Sequence, residues 1–454
     1  MCYSIPGKVT KIDGRRITVE YFGEPRTVVG DTFGVQVGDY VYAQGGLIID
    51  KIDPREAADI LAFWRENFFA LQERDLMLSR LELDRARVEP HLLKIFDRAL
   101  AGETLTTAEI GQLLDLHDGA ALRHLYAVAN HLRHRLQGNS CCVHGIIEIG
   151  SHCAGACHYC GISSFNGQLE RYRLDREAVL ASCRTAIEDH GFKALVLQSG
   201  EDTGRSLPEL AGIVAEIRRR WSVLVVVSFG DIGCAGLHTL YDAGARGVLM
   251  RFETSNPTLY SQLRPGRTLE QRLQQLRAAK EMGYLIITGG LVGLPGQTRA
   301  DIANDLVLAR SLEPDMHSFG PFLPHPATPL AQATRPEPAF MRQVLAVARL
   351  AEPRGVGLLV TTAFETLAPA AREDGLTAGA NAVMLNVTPE TVRPAYDLYP
   401  DRAHAREPIA RQIEDTLALL GRLGRAPTDL GAAPPAAAHA VHLAHGEADQ
   451  ELPC

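Results

Sequence analysis

The chain has 454 residues, 46% of them hydrophobic, enough for two or three domains or for one large barrel with an appendage. Its net charge of −8, with no basic block, argues against nucleic acid as the main partner. No apolar run reaches membrane-spanning length and the N-terminus has no signal-peptide pattern, so a cytoplasmic protein without a membrane partner is expected.

The first 53 or so residues read as short β-strands. Lys8–Ile12, Arg16–Tyr21, Arg26–Val29 and Tyr40–Ala43 are β-type runs separated by Asp13-Gly14, Gly23 and Gly38-Asp39. They predict a small all-β, OB-like barrel. From Pro54 to about Gln137 apolar residues recur at helical spacing, as in Leu92, Leu93, Ile95, Phe96 and Leu100. The charged stretch Gln72–Pro90 is expected to be a linker or an exposed helix.

From Ile146 strands and helices alternate. Strands are expected at 146–149, 193–198, 222–228, 246–252, 284–292, 315–320, 356–361 and 380–385, with helices such as 175–190, 207–219, 268–282, 299–312 and 337–350 between them. Eight such units predict an α/β fold, a (β/α)8 barrel of the TIM type. The expected division is a small β-barrel with a C-terminal helix over 1–70, a helical linker with barrel-capping helices over 71–140, and the large barrel over 141–425. Residues 426–454, rich in Ala, Pro and His, are expected to be disordered.

Three of the nine cysteines lie in Cys153-Ala-Gly-Ala-Cys157-His-Tyr159-Cys160, directly after the strand Ile146–Ile149. Closely spaced thiolates suit a soft metal or an iron–sulfur cluster, and three protein ligands leave one metal position open for chemistry. A structural zinc site would need a fourth ligand, such as His152 or His158, and the loop lacks a second paired-ligand knuckle. The odd cysteine count and the missing signal peptide speak against a disulfide.

A C-x3-C-x-aromatic-C loop after the first barrel strand resembles the radical SAM superfamily. The resemblance implies that Cys153, Cys157 and Cys160 hold one 4Fe–4S cluster, whose open iron binds S-adenosylmethionine (SAM) and delivers the electron that yields a 5′-deoxyadenosyl radical. Ser199-Gly200-Glu201, at the end of the second expected strand, resembles the family's Gly-Gly-Glu turn, which accepts from the methionine ammonium; alone it would be an ordinary loop. Over roughly residues 90–425 the chain is most similar to the HydE-type maturases of FeFe hydrogenase within the biotin-synthase-like branch. The segments are Val196-Leu-Gln-Ser-Gly-Glu-Asp202, Arg251-Phe-Glu-Thr-Ser-Asn-Pro257, Val292-Gly-Leu-Pro-Gly-Gln-Thr298, Gly320-Pro-Phe-Leu-Pro-His-Pro326, Thr361-Thr-Ala363 and Tyr396-Asp-Leu-Tyr-Pro400.

That resemblance implies SAM contacts at Tyr159, Ser199, Gly200, Glu201, Glu253 and Arg272, the last pairing the methionine carboxylate. It implies substrate contacts at Arg251, Thr361, Thr362, Met384, Tyr396 and Tyr399. Arg251 and Glu253 alternate by two, which also suits a barrel-interior ion pair on one face of a strand, but for Glu253 and Arg272 the functional reading is favoured. Tyr396 and Tyr399, at helical spacing, are equally compatible with packing.

Met1-Cys2-Tyr-Ser-Ile5-Pro6-Gly7-Lys-Val9 and Val37-Gly-Asp-Tyr-Val41 resemble the HypC-type chaperones of NiFe-hydrogenase maturation. The resemblance covers about residues 1–70. It implies that Cys2, once Met1 is removed, holds iron carrying cyanide and carbon monoxide, shared with a HypD-like partner.

Two departures stand out. Gln44 replaces the usual chaperone His, and Cys142-Val-His144 replaces a His-x-Arg found before the first strand of HydE-type barrels. Cys141 and Cys142 are either new ligands or buried thiols. The second-cluster cysteines of some HydE proteins are missing, so a single cluster is expected. His439, His442, His445 and Cys454 read as chance residues of the tail rather than a metal site.

The resulting expectation is a radical SAM enzyme of hydrogenase metal-centre maturation, of NiFe type, acting on an amino-acid-derived or iron-organometallic small molecule. Its iron carrier would be fused in cis, at millimolar effective concentration, and a ferredoxin or flavodoxin would supply electrons. The alternatives are a mutase or sulfur-handling enzyme of the biotin-synthase-like branch, or a non-catalytic metallocluster scaffold.

Overall fold

The computed structural model describes residues 5–30 and 34–429. Cys2 and the tail residues His439, His442, His445 and Cys454 lie outside them. Strands β1 (Gly7–Asp13), β2 (Arg16–Tyr21), β3 (Glu24–Val29), β4 (Tyr40–Gln44) and β5 (Leu47–Ile52) close a small barrel in the order β1-β2-β3-β5-β4. β5 was not singled out in the sequence. It pairs antiparallel with β4 through a tight Gly45-Gly46 turn, both glycines at positive φ. Ile5, Val9, Val19, Tyr21, Val41 and Ile48 fill the core, and Trp64 and Phe68 of the helix Pro54–Leu78 cover it.

That helix ends at Leu78, inside the stretch Gln72–Pro90 expected to be a linker or an exposed helix, and most of that stretch is exposed. One charge in it is buried: Asp75 is fully enclosed, with Arg133 at 2.6 Å, His134 at 2.8 Å and Arg425 at 2.8 Å. Burial pushes its carboxyl up, but the His134 and Arg133 contacts outweigh burial and hold it at about 2. Helices Pro90–Leu100, Thr107–Leu114 and Gly119–Gln137 follow.

The large barrel closes as β6 (Cys142–Gly150), β7 (Ala194–Ser199), β8 (Leu224–Ser228), β9 (Gly247–Leu249), β10 (Leu285–Thr288), β12 (Met316–His317), β14 (Gly357–Val360) and β15 (Ala382–Asn386). All eight pairings are parallel. A second layer at the upper mouth pairs β11 (Leu291–Val292) with β13 (Gly320–Pro321). Each expected strand is present, and the helix expected over 175–190 runs from Arg176 to Arg184 before a wider π-type turn at Thr185–Asp189.

The small barrel sits on the lower mouth, at the N-terminal ends of the large barrel's strands. Tyr42, Ile49, Ile52 and Ala57 share an apolar cluster with Cys142, Ala194, Leu224, Met316 and Ala382. The β4–β5 turn reaches so close that a Cβ on Gly45 would meet the Leu285 side chain at 2.6 Å. Residues 426–429, expected to belong to a disordered tail, are ordered. Ala426 pairs with Ser140 and is fully buried, and Asp429 accepts from the Gly45 N–H at 2.7 Å. Backbone pairing and burial order these residues.

Candidate active site

β6 alternates strictly. Val143, Ile147 and Ile149 face the outer helices, whereas Cys142 belongs to the inner cluster that Ile146 packs against. Glu148, in the same register, lines a cavity of ≈ 280 Å³ at the upper, C-terminal mouth. The cysteine loop follows immediately, on the side where such barrels place chemistry.

The loop is held by its own backbone and by one arginine. Arg171 donates to the carbonyls of Ser151, Ile162 and Ser163, and Asn166 donates to Gly161 O at 2.8 Å. Cys153 Sγ accepts from the N–H groups of Gly155 and Glu201, both at 3.3 Å. Two glycines are required by close approach. A Cβ on Gly200 would lie 2.5 Å from the Cys153 Cβ, and one on Gly161 would lie 2.0 Å from Asp397 O. Cys153, Cys157 and Cys160 are free thiols, and Cys153 and Cys160 line the cavity with Tyr159. Burial pushes all three up, Cys157 to about 11. Three thiolates packed together need a cationic partner, which iron supplies. The residues therefore fit an iron–sulfur cluster. His158, considered above as a zinc ligand, packs at a tilt against Phe165 with ring centroids 5.2 Å apart.

Ser199 ends β7, and Ser199, Gly200 and Glu201 line the cavity beside Cys153. The Glu201 carboxylate accepts from Arg264 at 2.8 Å and Arg267 at 2.9 Å. Arg264 also pairs with Asp231 at 2.9 Å, and Asp231 with Arg272 at 3.2 Å. Glu201 thus anchors a polar network that ends on the two buried arginines facing the cavity. Sequence reasoning named Glu201 and Arg272 and missed Arg264 and Asp231.

Arg251 and Glu253 do not sit on a strand as expected, because β9 ends at Leu249. They line the cavity from the segment above it, and their side chains pair at 3.4 Å. Glu253 has φ +67°, left-handed for a residue with a Cβ, and its carboxylate accepts from Tyr159 Oη at 3.2 Å. A parallel bridge to Gly290, where a Cβ would come 2.7 Å from Glu253 O, fixes this turn.

Thr361, Thr362 and Met384 line the floor and wall of the cavity, as do Tyr396 and Tyr399. Tyr396 lies under the Arg402 guanidinium, 5.7 Å from its ring centroid. Arg402 makes a bidentate pair with Glu148 at 2.6 and 2.9 Å, and Glu148 also accepts from Asn386 at 3.1 Å. Both charges are about 95% buried. Two segments quoted from the sequence meet at His325–Asp397, 2.9 Å apart.

The radical SAM superfamily pattern matches residues 147–309, and the HupF/HypC family pattern matches residues 1–64. Among curated proteins the chain is similar to the FeFe hydrogenase maturase subunit HydE of Thermotoga maritima, with 35% identity over 71% of this chain and 92% of that protein. It is 28% identical to the 3-methylornithine synthase of Methanosarcina acetivorans, over 57% of this chain and 73% of that one. Among solved structures, methylornithine synthase superposes with a TM-score of 0.64 at 25% identity, covering 74% of this chain and 97% of that one.

Proposed function

The chain belongs to the radical SAM superfamily, on the branch of the HydE-type maturases, and carries a HupF/HypC-family domain; from that premise we propose an enzyme of NiFe-type hydrogenase maturation that acts on an amino-acid-derived or iron-organometallic small molecule and carries an iron complex on Cys2. It is a radical SAM enzyme, and the family implies a 4Fe–4S cluster and SAM. When bound, that cluster supplies the electron that cleaves SAM to a 5′-deoxyadenosyl radical.

The chain's own residues bind, orient and exclude water. Cys153, Cys157 and Cys160 hold the cluster. Arg272, paired with Asp231, and Arg264, paired with Asp231 and Glu201, present guanidinium groups suited to a carboxylate. Tyr159, Ser199, Gly200 and Glu253 complete the SAM pocket. Arg251, Thr361, Thr362, Met384, Tyr396 and Tyr399 contact the substrate, with Phe322, Leu323 and Leu398 among the apolar groups that keep the cavity dry. A HypD-like protein and a ferredoxin or flavodoxin complete the set of partners.

One observation carries the hydrogenase reading: the chaperone-type barrel is seated on the lower mouth of the catalytic barrel, with its β4–β5 turn against Leu224 and Leu285. The test is anaerobic reconstitution with SAM and a strong reductant, followed by infrared detection of iron-bound cyanide or carbonyl. Parent protein is expected to form 5′-deoxyadenosine, Cys153→Ala to form none, and Cys2→Ala to lose the infrared bands. An intact cluster with no 5′-deoxyadenosine would leave a scaffold. The likeness to methylornithine synthase favours, as second reading, a mutase acting on an amino acid; turnover of a free amino acid with no infrared bands would select it.

A further inference from the structure

Three segments far apart in sequence meet on His325. Its imidazole is 4% exposed and comes from the loop after β13. Nδ1 accepts from the Ala327 N–H at 3.1 Å, so the ring proton is on Nε2, which donates to the Asp397 carboxylate at 2.9 Å. Thr328 donates to the His325 carbonyl through its N–H at 3.1 Å and its hydroxyl at 2.9 Å, which fixes the loop. The ring also lies against Gly161, the residue after Cys160: a Cβ there would meet His325 Cδ2 at 2.5 Å. The Gly161 N–H in turn donates to the Leu398 carbonyl at 2.8 Å.

Asp397 and Leu398 belong to a strap, residues 396–408, that runs from the short turn Arg393–Ala395 to the helix Ile409–Arg422 with no helix or strand of its own. Tyr396 and Arg402 line both the inner cavity and an outer, open pocket of ≈ 770 Å³. The strap is therefore a wall between the cavity and the outside. Side-chain contacts hold it, among them Arg402 to Glu148 and His404 to Glu365. Asp401 and His404 take left-handed backbone, at φ +55° and +64°, strained for residues with a Cβ. The shape of the strap is thus imposed by its contacts and not by local backbone preference.

We propose that His325 is a positioning residue for the SAM chemistry. It fastens the strap to the cysteine loop, so that Cys160 and the cavity-lining Tyr396 and Tyr399 keep one spacing and the cavity stays closed to the outer pocket. The proposal rests on the reading that Cys160 is a cluster ligand.

Two arguments support it. The first is directness. One peptide bond leads from Cys160 to Gly161, which touches both His325 and the strap at Leu398; Tyr396 and Tyr399 flank the pair Asp397-Leu398 that these contacts hold. A misplacement of about 1 Å between reacting groups costs about a hundredfold in rate, so a tie at this place governs reactivity. The second is the chemistry of the tie. An N–H donor on a carboxylate makes a charge-assisted hydrogen bond, and Asp397, 38% exposed, keeps its charge in contact with water. A flat ring engaged at both nitrogens also fits where Gly161 leaves no room for a methyl group.

Hydrogen exchange and an EPR-monitored redox titration of the full-length, cluster-reconstituted protein test the role. In His325→Ala, exchange of peptides covering 157–163 and 396–402 should rise at least tenfold while the barrel strands keep the parent rates. The midpoint potential should rise as well, because water reaching the cluster favours its more highly charged reduced form. His325→Gln, whose amide nitrogen stands near the place of Nε2, should restore both readouts. His325→Asn, too short for Asp397, should not. Asp397→Ala removes the same tie from the partly exposed side and should repeat the His325→Ala pattern even if that protein loads poorly. Parent exchange and potential in both His325→Ala and Asp397→Ala would overturn the proposal. A rise in exchange spread evenly over the chain, unrescued by His325→Gln, would also overturn it and leave a structural role. Normal iron loading in Cys160→Ala would instead sink the ligand reading, whatever the strap does.

Discussion

The Glu148–Arg402 pair is the strongest lever on the cavity wall. Glu148→Gln removes the charge but nearly keeps the shape. It leaves a guanidinium that is 5% exposed and donates to the neutral Tyr396 carbonyl at 2.9 Å. Breaking a buried, bidentate pair by deleting one partner costs about 3–5 kcal/mol. For a unit of roughly 300 residues, unfolding entropy of about 2.1 cal/mol/K per residue converts this into a fall in Tm of about 5–8 °C. The assay is a thermal scan of four proteins: parent, Glu148→Gln, Arg402→Met, and Glu148→Met with Arg402→Met. The apolar double variant should recover more than half of the loss, because the penalty comes from an uncompensated charge and not from lost volume. A Glu148→Gln protein melting within about 1 °C of the parent would refute the reasoning. So would a double variant no more stable than the sum of the singles.

Three further outcomes are expected. Glu253→Gly should raise Tm slightly, because a left-handed residue with a Cβ costs about 1–2 kcal/mol, while it lowers SAM cleavage through loss of the Tyr159 and Arg251 contacts; a lower Tm would show that the turn is not strained. Gly161→Ala drives a methyl into Asp397 O and His325, so iron per chain after reconstitution should fall well below that of the parent; equal loading would show that the loop shifts freely. His404 lies between Glu365 at 2.6 Å and Glu407 at 2.5 Å, and although burial lowers its basicity, these carboxylates raise it above the ordinary histidine value. Its contribution is therefore full below about pH 6.5 and fades as pH rises through the raised value. The Tm gap between parent and His404→Gln should shrink from pH 6 to pH 9; a constant gap would exclude the linkage.

The eight barrel strands were legible because a parallel strand buried on both faces is a short apolar run, and helical spacing fills the intervals. The cysteine loop was legible because its three ligands are local. What escaped were side chains whose partners are distant. Glu148 is a charge inside the run Ile146–Ile149, a visible anomaly, but Arg402 is 254 residues away and nothing local points to it. Arg264 and Asp231 were missed for the same reason, lying on different loops above the barrel. Asp75 is the exception in its charged stretch: its neighbours Glu73, Arg74 and Leu76 are exposed as read, and only Arg133 and Arg425 explain why this one carboxylate is buried. Charge in sequence reports exposure only where no partner is buried with it.

The position of the small barrel constrains how the two halves can cooperate. Cys142 and Glu148 lie on one inward row of β6, six residues or about 20 Å apart, with His144 and Ile146 between them. The junction is at one end of that row and the cavity at the other, followed at once by the cysteine loop. Fusion therefore does not bring the HupF/HypC-family barrel to the open mouth that the cysteine loop lines. It seats that barrel on the opposite mouth, where Ile287, Leu359, Met384 and Val226 fill the large barrel between the two. A high effective concentration across a flexible tether is the wrong picture for such a docked pair. Cooperation must run either through the barrel interior or by release and recapture. The two routes separate experimentally: Met384→Trp would obstruct the interior at the cavity floor and should slow an interior route while leaving SAM cleavage in place. Unaltered loading of the carrier in Met384→Trp would assign transfer to release and recapture.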